Sequence, residues 1–585
     1  MSESTNRSGT AVPTRRWLRP AIQQILVRIF TAALLGGVVG VVATLAATAF
    51  VAFVLRTEGS LVMPLALSDN PRDNWKLAAL LITGGLIVGG IRRWNRPSSM
   101  QGPANAIGAA HGLPRILPLV PGLRTLLATL VSIGCGASVG QYGPLAHLGA
   151  LIGSLGARLG RVSVENRSIG IACGAAAAIS AAFDAPIAGI IFAHEVILRH
   201  FSLRAFAPVT VASSIAYVLI HFVIHHDPIF ELADPVFIFA PEIALFVLIG
   251  IAGGLVAVLM MRSICLAEQL ARLSRLPEWL QPAVAGAMLA VIAIWTPGVL
   301  GVGQSALRVI LEGGTSPYDL GIFLVAKLLA TALCLGFGFV GGVFSPALLL
   351  GVLFGALCGA SSNLLFVGVH SDVVIYAACG MVAVVSPVIG APITAILIVF
   401  ELTRNYDITT AAMLSAALSN LISYRMFGRS YYDYQLLQGG YDISLGRVKL
   451  MLSVRTVGNL VDSNVPTVSE SSQIGDAVKD MIKASVDEIA VLDNAGQYLG
   501  LLRLGDAVAT NADTPVKQLG KLDVMPLVES TPIWQAMDFA DRSTIDHFPV
   551  VDGNGIFQGM VSRRDLVAAY LSVARQARRE QHDPV

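Results

Sequence analysis

Long apolar runs interrupted by glycine and proline occupy most of the chain and limit its fold more than any other feature. The first run, Phe30–Leu55, is long enough to cross a bilayer, which takes about 20 residues of helix. Further runs continue to about Met426, and several of them, such as Ile169–Ile197 and Val373–Phe400, contain glycine or proline. Broken helices at membrane depth are tolerated only where they are buried in protein or line an aqueous cavity. The pattern predicts a polytopic α-helical membrane domain with an internal pathway.

The composition excludes several other classes of protein. Hydrophobic residues make up 54% of the 585 residues and charged residues 13%, against about 25% in soluble chains, so lipid must cover much of the surface. A net charge of +2 gives no basis for nucleic-acid binding. The six cysteines lie in apolar segments without metal-ligand or disulfide spacing. No nucleophile elbow or phosphate-binding loop is present, so we expect neither an enzyme nor a metal site.

The membrane half contains an internal repeat. The segment Ala172–Glu195 resembles Ala378–Glu401 at a constant offset, and Val139–Ala157 resembles Val340–Ala360 more loosely. Both members of the closer pair carry Ala-Pro-Ile ahead of a glutamate at the same spacing. Duplicated halves with glycine- and proline-interrupted segments at matching positions indicate a substrate site near the membrane midplane.

A second repeat lies in the more polar tail. Asp487–Val508 aligns with Asp546–Val567, and each copy is predicted to form a strand, a turn, a strand and a helix that begins near an aspartate. Helical stretches, Ile474–Ala484 and Pro532–Asp541, precede the two copies. The tail therefore resembles a tandem pair of cystathionine-β-synthase (CBS) domains, which have an α/β structure.

These features give a domain organisation. We assign 1–25 to a cytoplasmic N-terminal segment, 26–440 to the membrane domain, 441–452 to a linker, 453–511 and 512–575 to the two CBS copies, and 576–585 to a polar tail. Arg15, Arg16 and Arg19 precede the first apolar run. Because basic flanks favour the cytoplasmic side, we expect the N-terminus, and with it the C-terminal tail, in the cytoplasm.

Two loops with matching glycines and prolines, Gly140–Pro144 and Gly341–Pro346, each lead into an apolar helix. Proline suits the first turn of a helix, and glycine lets backbone N–H groups approach a ligand closely. Free N–H donors and the positive end of a helix dipole bind anions without a cationic side chain. Gly102-Pro103 supplies a third such helix start. The three together predict a site for a small, dehydrated anion rather than for a cation.

These motifs resemble the CLC family of chloride channels and proton-coupled chloride transporters. The resemblance rests on the two loops, the Ala-Pro-Ile segments, Glu401–Tyr406 and Ser430–Asp433, and it extends from about residue 30 to residue 440. It implies an inverted-repeat membrane fold surrounded by lipid, a homodimer with one pore per subunit, and chloride or another small anion as substrate. A CBS pair after the membrane domain is a common arrangement in this family. The implied location is a bacterial inner membrane.

The resemblance also assigns residues to an anion pathway. Carried over by position, the central site consists of the backbone amides of Val343 and Phe344 and the hydroxyl of Tyr432. The loop of the first repeat contributes the neighbouring pore residues Gly140, Gln141, Tyr142 and Gly143.

One ligand of the central site departs from the family pattern. When the loops are aligned on Pro103, Met100 replaces the usual serine, whereas a shift of one residue would restore Ser99. The replacement leaves the choice among chloride, nitrate and fluoride open.

Two further departures concern protons. The gating glutamate of the family corresponds to Tyr142, and the second proton-transfer glutamate corresponds to Val196. A carboxylate can alternate between charged and neutral forms as an anion moves, whereas a tyrosine, with an ordinary pKa of about 10, stays neutral. We therefore expect a passive anion channel, voltage-gated or ungated, without tight coupling to protons.

Two alternatives remain open. The first is an anion/proton antiporter that uses a non-standard route through Glu195 or His194. Against it, the equivalent positions of Glu195 and Glu401 in the repeat favour a structural role at a helix end, and His194 and His147 are expected to be buried, hydrogen-bonded histidines. The second alternative is a membrane-anchored sensor in which the CBS pair acts and the pore is degenerate. Retention of both anion loops and of Tyr432 argues against this alternative.

The CBS pair carries one further expectation. CBS pairs often bind adenine nucleotides, with an aspartate on the ribose hydroxyls, and Ser562 and Asp565 of the second copy are the candidate residues. In the first copy Arg503 replaces the hydroxyl residue ahead of Asp506, which leaves at most one good nucleotide site. A purely structural dimer brace is the alternative.

Overall fold

Helices form most of the molecule, described here from a computed structural model. The structure describes residues 18–582 apart from 69, 96–99, 114–116, 161–163, 225–241, 313–314, 366–370, 443–446, 454 and 520–523. The described residues fall into two compact units, one ending at Gly439 and the other beginning at Gly440. The named elements of the first unit are all helices, and those of the second are helices and short strands.

The first half of the membrane unit follows the first half of the internal repeat. Its described helices are α1 (Leu18–Thr57), α2 (Met63–Ala66), α3 (Pro71–Trp94), α4 (Pro103–Ala110), α5 (Leu119–Gly134), α6 (Tyr142–Leu159), α7 (Val164–Phe183), α8 (Pro186–Phe192) and α9 (Leu203–Val218). Turns of π-helix extend three of them, at Glu58–Val62, Ala193–Leu198 and Leu219–Ile224. Among the described residues, helical structure is already present at Leu18, ahead of the apolar run that starts at Phe30.

The second half contains a matching series. Its described helices are α10 (Ile243–Leu273), α11 (Gln281–Trp295), α12 (Gln304–Glu312), α13 (Pro317–Gly336), α14 (Phe344–Leu365), α15 (Val373–Ile389), α16 (Pro392–Thr403), α17 (Tyr406–Met426) and α18 (Tyr431–Gln438). A short 3₁₀ turn, Pro297–Val299, lies between α11 and α12.

The membrane unit contains both helices long enough to cross a bilayer and shorter apolar helices. Six described stretches are long and apolar enough to cross a bilayer, namely Ala33–Ala66, Pro71–Trp94, Leu203–Ile224, Ile243–Leu273, Pro317–Gly336 and Phe344–Ser362. Shorter apolar helices, including α5, α11, α15 and α16, accompany them. The predicted polytopic α-helical membrane domain is confirmed.

Two apolar runs break at equivalent points. The run Ile169–Ile197 breaks at Asp184, where φ is 53°, and the run Val373–Phe400 breaks at Gly390, where φ is 71°. A proline follows within the first turn of the next helix in each case, because its fixed φ and missing N–H suit that position. Each run therefore contains two helices, α7 with α8 and α15 with α16.

The two halves repeat the same helix packing. α6 packs along α7, and α14 packs along α15. A Cβ atom at Gly149 would lie 2.1 Å from the carbonyl oxygen of Gly174, and one at Gly351 would lie 2.6 Å from that of Gly380. Small residues let membrane helices approach at the backbone, so both crossings require glycine. The internal repeat predicted from the sequence is present in the structure.

Each copy of the tail repeat forms a three-stranded sheet in which the first strand is parallel to the second and the second is antiparallel to the third. The strands are β1 (Thr467–Ser469), β2 (Glu488–Leu492) and β3 (Tyr498–Arg503) in the first copy, and β4 (Leu527–Val528), β5 (His547–Val551) and β6 (Phe557–Ser562) in the second. Tight turns at Asp493 and Asp552 join the antiparallel strands. The predicted order of strand, turn and strand is confirmed.

The helices of the tail cover these sheets. They are α19 (Arg447–Ser453), α20 (Ile474–Ala484), α21 (Leu504–Val508), α22 (Ile533–Arg542) and α23 (Arg563–His582). The bounds of α20 are those predicted from the sequence. The stretch 441–452, assigned to a linker, contains most of α19, because Leu452 is buried in a core shared with Ala540 and Val573. α23 likewise continues into the segment assigned to a polar tail.

Candidate anion-binding site

The two glycine–proline loops pair with each other. The Gly140 N–H donates to the Gly342 carbonyl oxygen at 2.8 Å, and the Gly342 N–H donates to the Gly140 oxygen at 2.7 Å. These two glycines occupy equivalent places in the repeats, and mutual hydrogen bonds between equivalent residues are what a two-fold axis produces. A Cβ atom at Gly140 would lie 2.6 Å from the Gly342 oxygen, so the approach requires glycine. Both halves therefore build one site.

Several backbone N–H groups at the starts of α6 and α14 have no hydrogen-bond acceptor in the part of the chain that the structure describes. Among the described residues, the N–H groups of Tyr142, Gly143, Val343 and Phe344 make no hydrogen bond. They belong to the beginnings of helices, where N–H groups lack acceptors within the helix. The positive helix ends add to the attraction of these donors for an anion.

Gln141 differs from its neighbours. Its N–H donates to the Ser345 hydroxyl at 3.1 Å, so this amide joins the two loops. Its side chain is buried, and the side-chain oxygen makes no hydrogen bond among the described residues. Gln141 thus lies in the loop as the sequence implied, but its backbone N–H is already used.

The Tyr432 hydroxyl lies beside the first loop. A Cβ atom at Gly143 would be 3.6 Å from this hydroxyl and 3.3 Å from the ring of Pro103, at the start of α4. Tyr432 is 1% exposed, and its hydroxyl has no hydrogen-bond partner among the described residues. An unpartnered buried hydroxyl is costly, and a bound anion is the kind of group that would satisfy it. Three helix starts and this hydroxyl therefore lie together.

Met100 precedes the α4 helix start. Its sulfur lies 3.5 Å from the Thr125 hydroxyl and 3.9 Å from the Asn95 side-chain nitrogen, both of which donate to it. A thioether offers no hydrogen-bond donor to an anion. Ser99, the other candidate for the serine position, lies outside the described residues.

Three aromatic rings pack against one another at the gating position. The Tyr142 ring centroid lies 4.2 Å from that of Phe183 and 5.5 Å from that of Phe344. The rings of Phe183 and Phe344 are 5.4 Å apart, and all three side chains are buried. The side-chain amides of Gln141 and Gln304 lie beside the Tyr142 hydroxyl. A cluster of rings therefore occupies the place where the family pattern has a carboxylate.

The position of the inner proton-transfer glutamate is apolar. Val196 is fully buried in the π-helical turn Ala193–Leu198. In the same turn the Nδ1 atom of His194 lies 3.3 Å from the His200 carbonyl oxygen, and the imidazole stacks on Phe201 with centroids 5.4 Å apart. The expected burial and hydrogen bond of His194 are confirmed. Its Nε2 atom has no partner among the described residues.

Glu195 and Glu401 cap each other's neighbouring helices. Glu401 accepts two N–H groups from the first turn of α8, at 2.9 and 2.7 Å. Glu195 accepts two from the first turn of α16, at 3.0 and 2.8 Å, and the Thr394 hydroxyl at 2.7 Å. Carboxylates at helix N-termini satisfy N–H groups that lack other acceptors. The predicted structural role at a helix end is confirmed for both glutamates.

His147 lies on α6, one turn beyond Gly143. It is fully buried, as expected, but neither ring nitrogen makes a hydrogen bond among the described residues, contrary to the expectation. The backbone of Gly102 lies beside the ring, but it is not aligned for an ordinary hydrogen bond.

The candidate nucleotide residues lie at the start of α23. The Ser562 hydroxyl donates to the Asp565 carboxylate, and the Asp565 N–H donates to the Ser562 oxygen at 3.1 Å. This pattern satisfies the helix start, and Asp565 remains exposed. In the first copy Arg503 occupies the equivalent place before α21 and makes no side-chain cap.

Three contributors to the site were not identified from the sequence, namely Phe183, Ser345 and Gln304. Ser345 had a signal, because it lies inside the second glycine–proline loop at the place equivalent to Gly143. Phe183 and Gln304 had none, since they reach Tyr142 only through the packing of α7 and α12.

Comparison with known proteins decides the family. The family model described as "Voltage gated chloride channel" matches residues 84–424, more than half of the chain. The chain belongs to the CLC family. The CBS domain model also matches twice, at residues 457–512 and 516–572. The molecule is therefore an integral membrane anion transporter of the CLC family with a tandem CBS pair.

Relatives of this CLC protein include both exchangers and channels. The H(+)/Cl(-) exchange transporter ClcA of Vibrio cholerae serotype O1 is 30% identical over 382 residues, which cover 62% of this chain and 79% of that protein. The voltage-gated ClC-type chloride channel ClcB of Shigella flexneri is 30% identical over 318 residues, which cover 53% and 75%. The structure of a slow cyanobacterial Cl−/H+ antiporter superposes with a TM-score of 0.63 at 22% identity, covering 70% of this chain and 97% of that one. The last comparison confirms the CLC fold.

Proposed function

We propose that this CLC transporter is a passive channel for small inorganic anions, chloride among them, and that its flux is not coupled to protons. The observation that carries the proposal is the Tyr142 ring, packed against Phe183 and Phe344 at the gating position. Coupling needs a group that alternates between charged and neutral forms as the anion moves. A phenol packed against two phenyl rings does not supply one near neutral pH.

The other ionisable groups support the same conclusion. Val196 stands where an inner proton carrier is needed and is fully buried. Glu195 and Glu401 are engaged as acceptors for α16 and α8. Withdrawing either carboxylate would leave the part-buried N–H group of Ala188 or Thr394 without its acceptor, which costs about 1–3 kcal/mol. Neither glutamate is therefore free to carry protons while the helix pair stays intact.

The donors around the loops support selectivity for anions. The unengaged N–H groups of Val343 and Phe344 and the Tyr432 hydroxyl offer positive dipole ends. No carboxylate faces this group of donors in the part of the chain that the structure describes. Met100 lacks a donor, so the choice among chloride, nitrate and fluoride depends on the backbone and on Tyr432.

The proposal is tested by recording two fluxes at once. Purified protein is reconstituted into liposomes loaded with potassium chloride, and valinomycin starts the efflux while a chloride electrode and a pH electrode record together. We expect rapid chloride efflux, no uphill proton movement, and little change in chloride flux across the neutral pH range. Without valinomycin, a potassium efflux equal to that of chloride would contradict anion selectivity.

The matched control restores both missing carboxylates. The double variant Tyr142→Glu/Val196→Glu has the groups that the family uses for coupling and should begin to move protons. Steady proton movement by the unmodified protein, at a fixed ratio to chloride, would overturn the passive channel.

An anion/proton antiporter is the second candidate function. It is favoured by the names of relatives such as the Vibrio cholerae exchanger and by the unpartnered Nε2 atom of His194, two residues before Val196. If the unmodified protein does couple the two fluxes, His194→Gln should abolish the proton flux and leave the chloride flux.

The same chloride-flux measurement distinguishes a transporter from a third possibility, a CBS-based sensor with a degenerate pore. Such a protein would pass no chloride, although its tail would bind a ligand. The complete pair of anion loops and the buried Tyr432 hydroxyl support transport instead.

We further propose a homodimer in a bacterial inner membrane, with both termini in the cytoplasm. Ile187 of α8 and Ile393 of α16 are each 47% exposed on two helices that pack together, and they give this helix pair an apolar outer face. Cross-linking in membranes should yield a species of twice the monomer mass, and protease added to sealed spheroplasts should leave the CBS tail uncut.

A further inference from the structure

A buried glutamate and a buried lysine lie on either side of the loop that precedes α12. Glu58, just beyond α1, is 5% exposed, and Lys327 of α13 is fully buried. Lys327 is the one buried lysine or arginine among the described residues. Its ammonium group donates to the carbonyl oxygens of Val299 and Gly301, at 2.9 and 3.2 Å.

The glutamate approaches the same loop from the other side. A Cβ atom at Gly301 would lie 3.0 Å from the Glu58 carboxyl carbon. The carboxylate faces the backbone of Val302 and Gly303 and attracts Lys327 across the loop. Neither of its oxygens makes a hydrogen bond of ordinary geometry among the described residues. The loop therefore lies between the Glu58 carboxyl group and the Lys327 amino group, which do not contact each other.

This loop connects directly to the anion site. The Gly301 N–H donates to the Gly136 carbonyl oxygen at 2.9 Å, in the segment that leads to the first glycine–proline loop. Thr331, one turn from Lys327 on α13, is hydrogen-bonded to Ser138 in that segment at 3.2 Å. At its other end the loop continues into Gln304, whose amide lies beside the Tyr142 hydroxyl.

We propose that Glu58 and Lys327 set the anion affinity at the Tyr142 end of the pathway, with Lys327 attracting the anion and Glu58 limiting that attraction. The inference rests on the proposed anion transport and names two affinity-determining residues for it. In a poorly hydrated interior, charges act over longer distances than they do in water. The anion donors themselves, backbone N–H groups and the Tyr432 hydroxyl, are uncharged, so a buried charge behind them changes the potential that the anion meets.

A purely structural role predicts a different pattern. A buried pair that only braces the loop would lose stability when either member is replaced, because the remaining charge is uncompensated. Both single variants would then weaken transport. An electrostatic role instead predicts opposite shifts in anion affinity for the two variants and restoration in the double variant.

The test measures chloride affinity separately from transport rate. Chloride binding to purified full-length protein is measured by calorimetry, and the chloride dependence of flux is measured in liposomes. Glu58→Gln should tighten chloride binding and Lys327→Met should weaken it, each by on the order of tenfold. The double variant Glu58→Gln/Lys327→Met should bind like the unmodified protein. Glu58→Asp, which keeps the charge, is the matched control and should also bind normally.

Each result of these binding measurements either supports or contradicts the proposed role of Glu58 and Lys327. Shifts in the same direction for the two single variants, or no shift in either, overturn it. Single variants that do not give monodisperse protein favour a structural brace and overturn the inference. A double variant that binds chloride more weakly than the unmodified protein overturns it as well. Unmodified protein that moves no chloride would overturn the proposed function itself, which is a separate result from chloride flux with unshifted variants.

Discussion

In the proposed passive channel, the side chain of Tyr142 closes the anion path. A carboxylate at this position would compete with the anion by charge and would be displaced by a proton or by chloride. In the proposed channel the phenol would compete by volume, because its ring packs against Phe183 and Phe344. We therefore expect opening to require rotation of the ring out of this cluster, without a change in its protonation.

Removing the ring tests this mechanism. We expect Tyr142→Ala to raise chloride flux severalfold in liposomes, because removal of the ring would open space beside the first glycine–proline loop. The same change should cost about 3 kcal/mol of stability, the usual scale for removing a buried aromatic side chain. Tyr142→Phe keeps the ring and should keep normal flux. A loss of flux in both variants would instead make the hydroxyl a ligand of the anion.

Met100, just before α4, is the residue proposed at the position of the usual serine ligand. We expect Met100→Ser to tighten chloride binding about fivefold, since a hydroxyl donor at the α4 start contributes about 1 kcal/mol. Calorimetry with chloride, nitrate and fluoride measures both the affinity and the order of preference. Met100→Leu has similar volume and no donor, so it should change neither. An unchanged affinity in Met100→Ser would favour Ser99 as the residue at the serine position.

Individual residues were predictable where a short motif defines them. The glycine–proline loops predict free N–H groups near Gly140 and Gly143 through local backbone geometry, whereas the choice of Val343 and Phe344 rests on the resemblance to the CLC family. Phe183 and Gln304 did not follow from the sequence, because their contacts with Tyr142 depend on how distant helices pack. The hydrogen bond expected for His147 was wrong, since burial in a helix does not by itself align an acceptor with the ring.

At the scale of helices, α8 and α16 depend on each other through their two glutamates. Each helix begins with a proline, and its first N–H groups have no acceptors within the helix. Glu401 supplies acceptors to α8, and Glu195 supplies them to α16. The two helices are therefore linked by reciprocal carboxylate caps.

Equivalent substitutions should weaken this helix pair equally. Glu195→Ala and Glu401→Ala are each expected to lower stability by about 1–2 kcal/mol, the cost of losing a helix N-cap. Thermal unfolding of each variant in detergent, monitored by size-exclusion chromatography of the heated samples, measures the loss of stability. Glu195→Gln and Glu401→Gln keep one acceptor oxygen and should lose less. A change in the ratio of proton to chloride flux in either variant would contradict the structural role.

Element boundaries were predictable where amphipathic spacing was regular. The bounds of α20 match the prediction because apolar residues recur along one helix face and a polar turn follows. α19 was missed, since seven residues do not show a helical period clearly. The π-helical turn around Val196 also had no sequence signal, because it depends on packing against neighbouring helices.

For the whole molecule, the CBS tail behaves as one body. Ala490 and Leu501 of the first copy lie in the same core as Phe548 and Val550 of the second. Binding of a ligand to one copy is therefore expected to affect the packing of the other copy. Regulation through the tail depends on whether such a ligand binds.

Nucleotide binding is expected at the second copy alone. Calorimetry on the full-length protein with ATP, ADP and AMP should show one site per chain. Asp565→Asn should weaken it at least tenfold, because the exposed carboxylate is the group available to the ribose hydroxyls. Asp506→Asn in the first copy is the control and should have no effect. An absence of heat with all three nucleotides would leave the tail as a structural brace.

The pairing of Gly140 with Gly342 also bears on how such proteins diversify. Most of the groups proposed to attract the anion belong to the main chain, and side-chain substitutions in the loops do not delete them. Mutations can therefore exchange a gate, remove a proton carrier or alter a ligand such as Met100 while the capacity to bind anions is inherited intact. A lineage can move between exchange and passive conduction by changing a few side chains, with no intermediate ancestor that had lost its substrate.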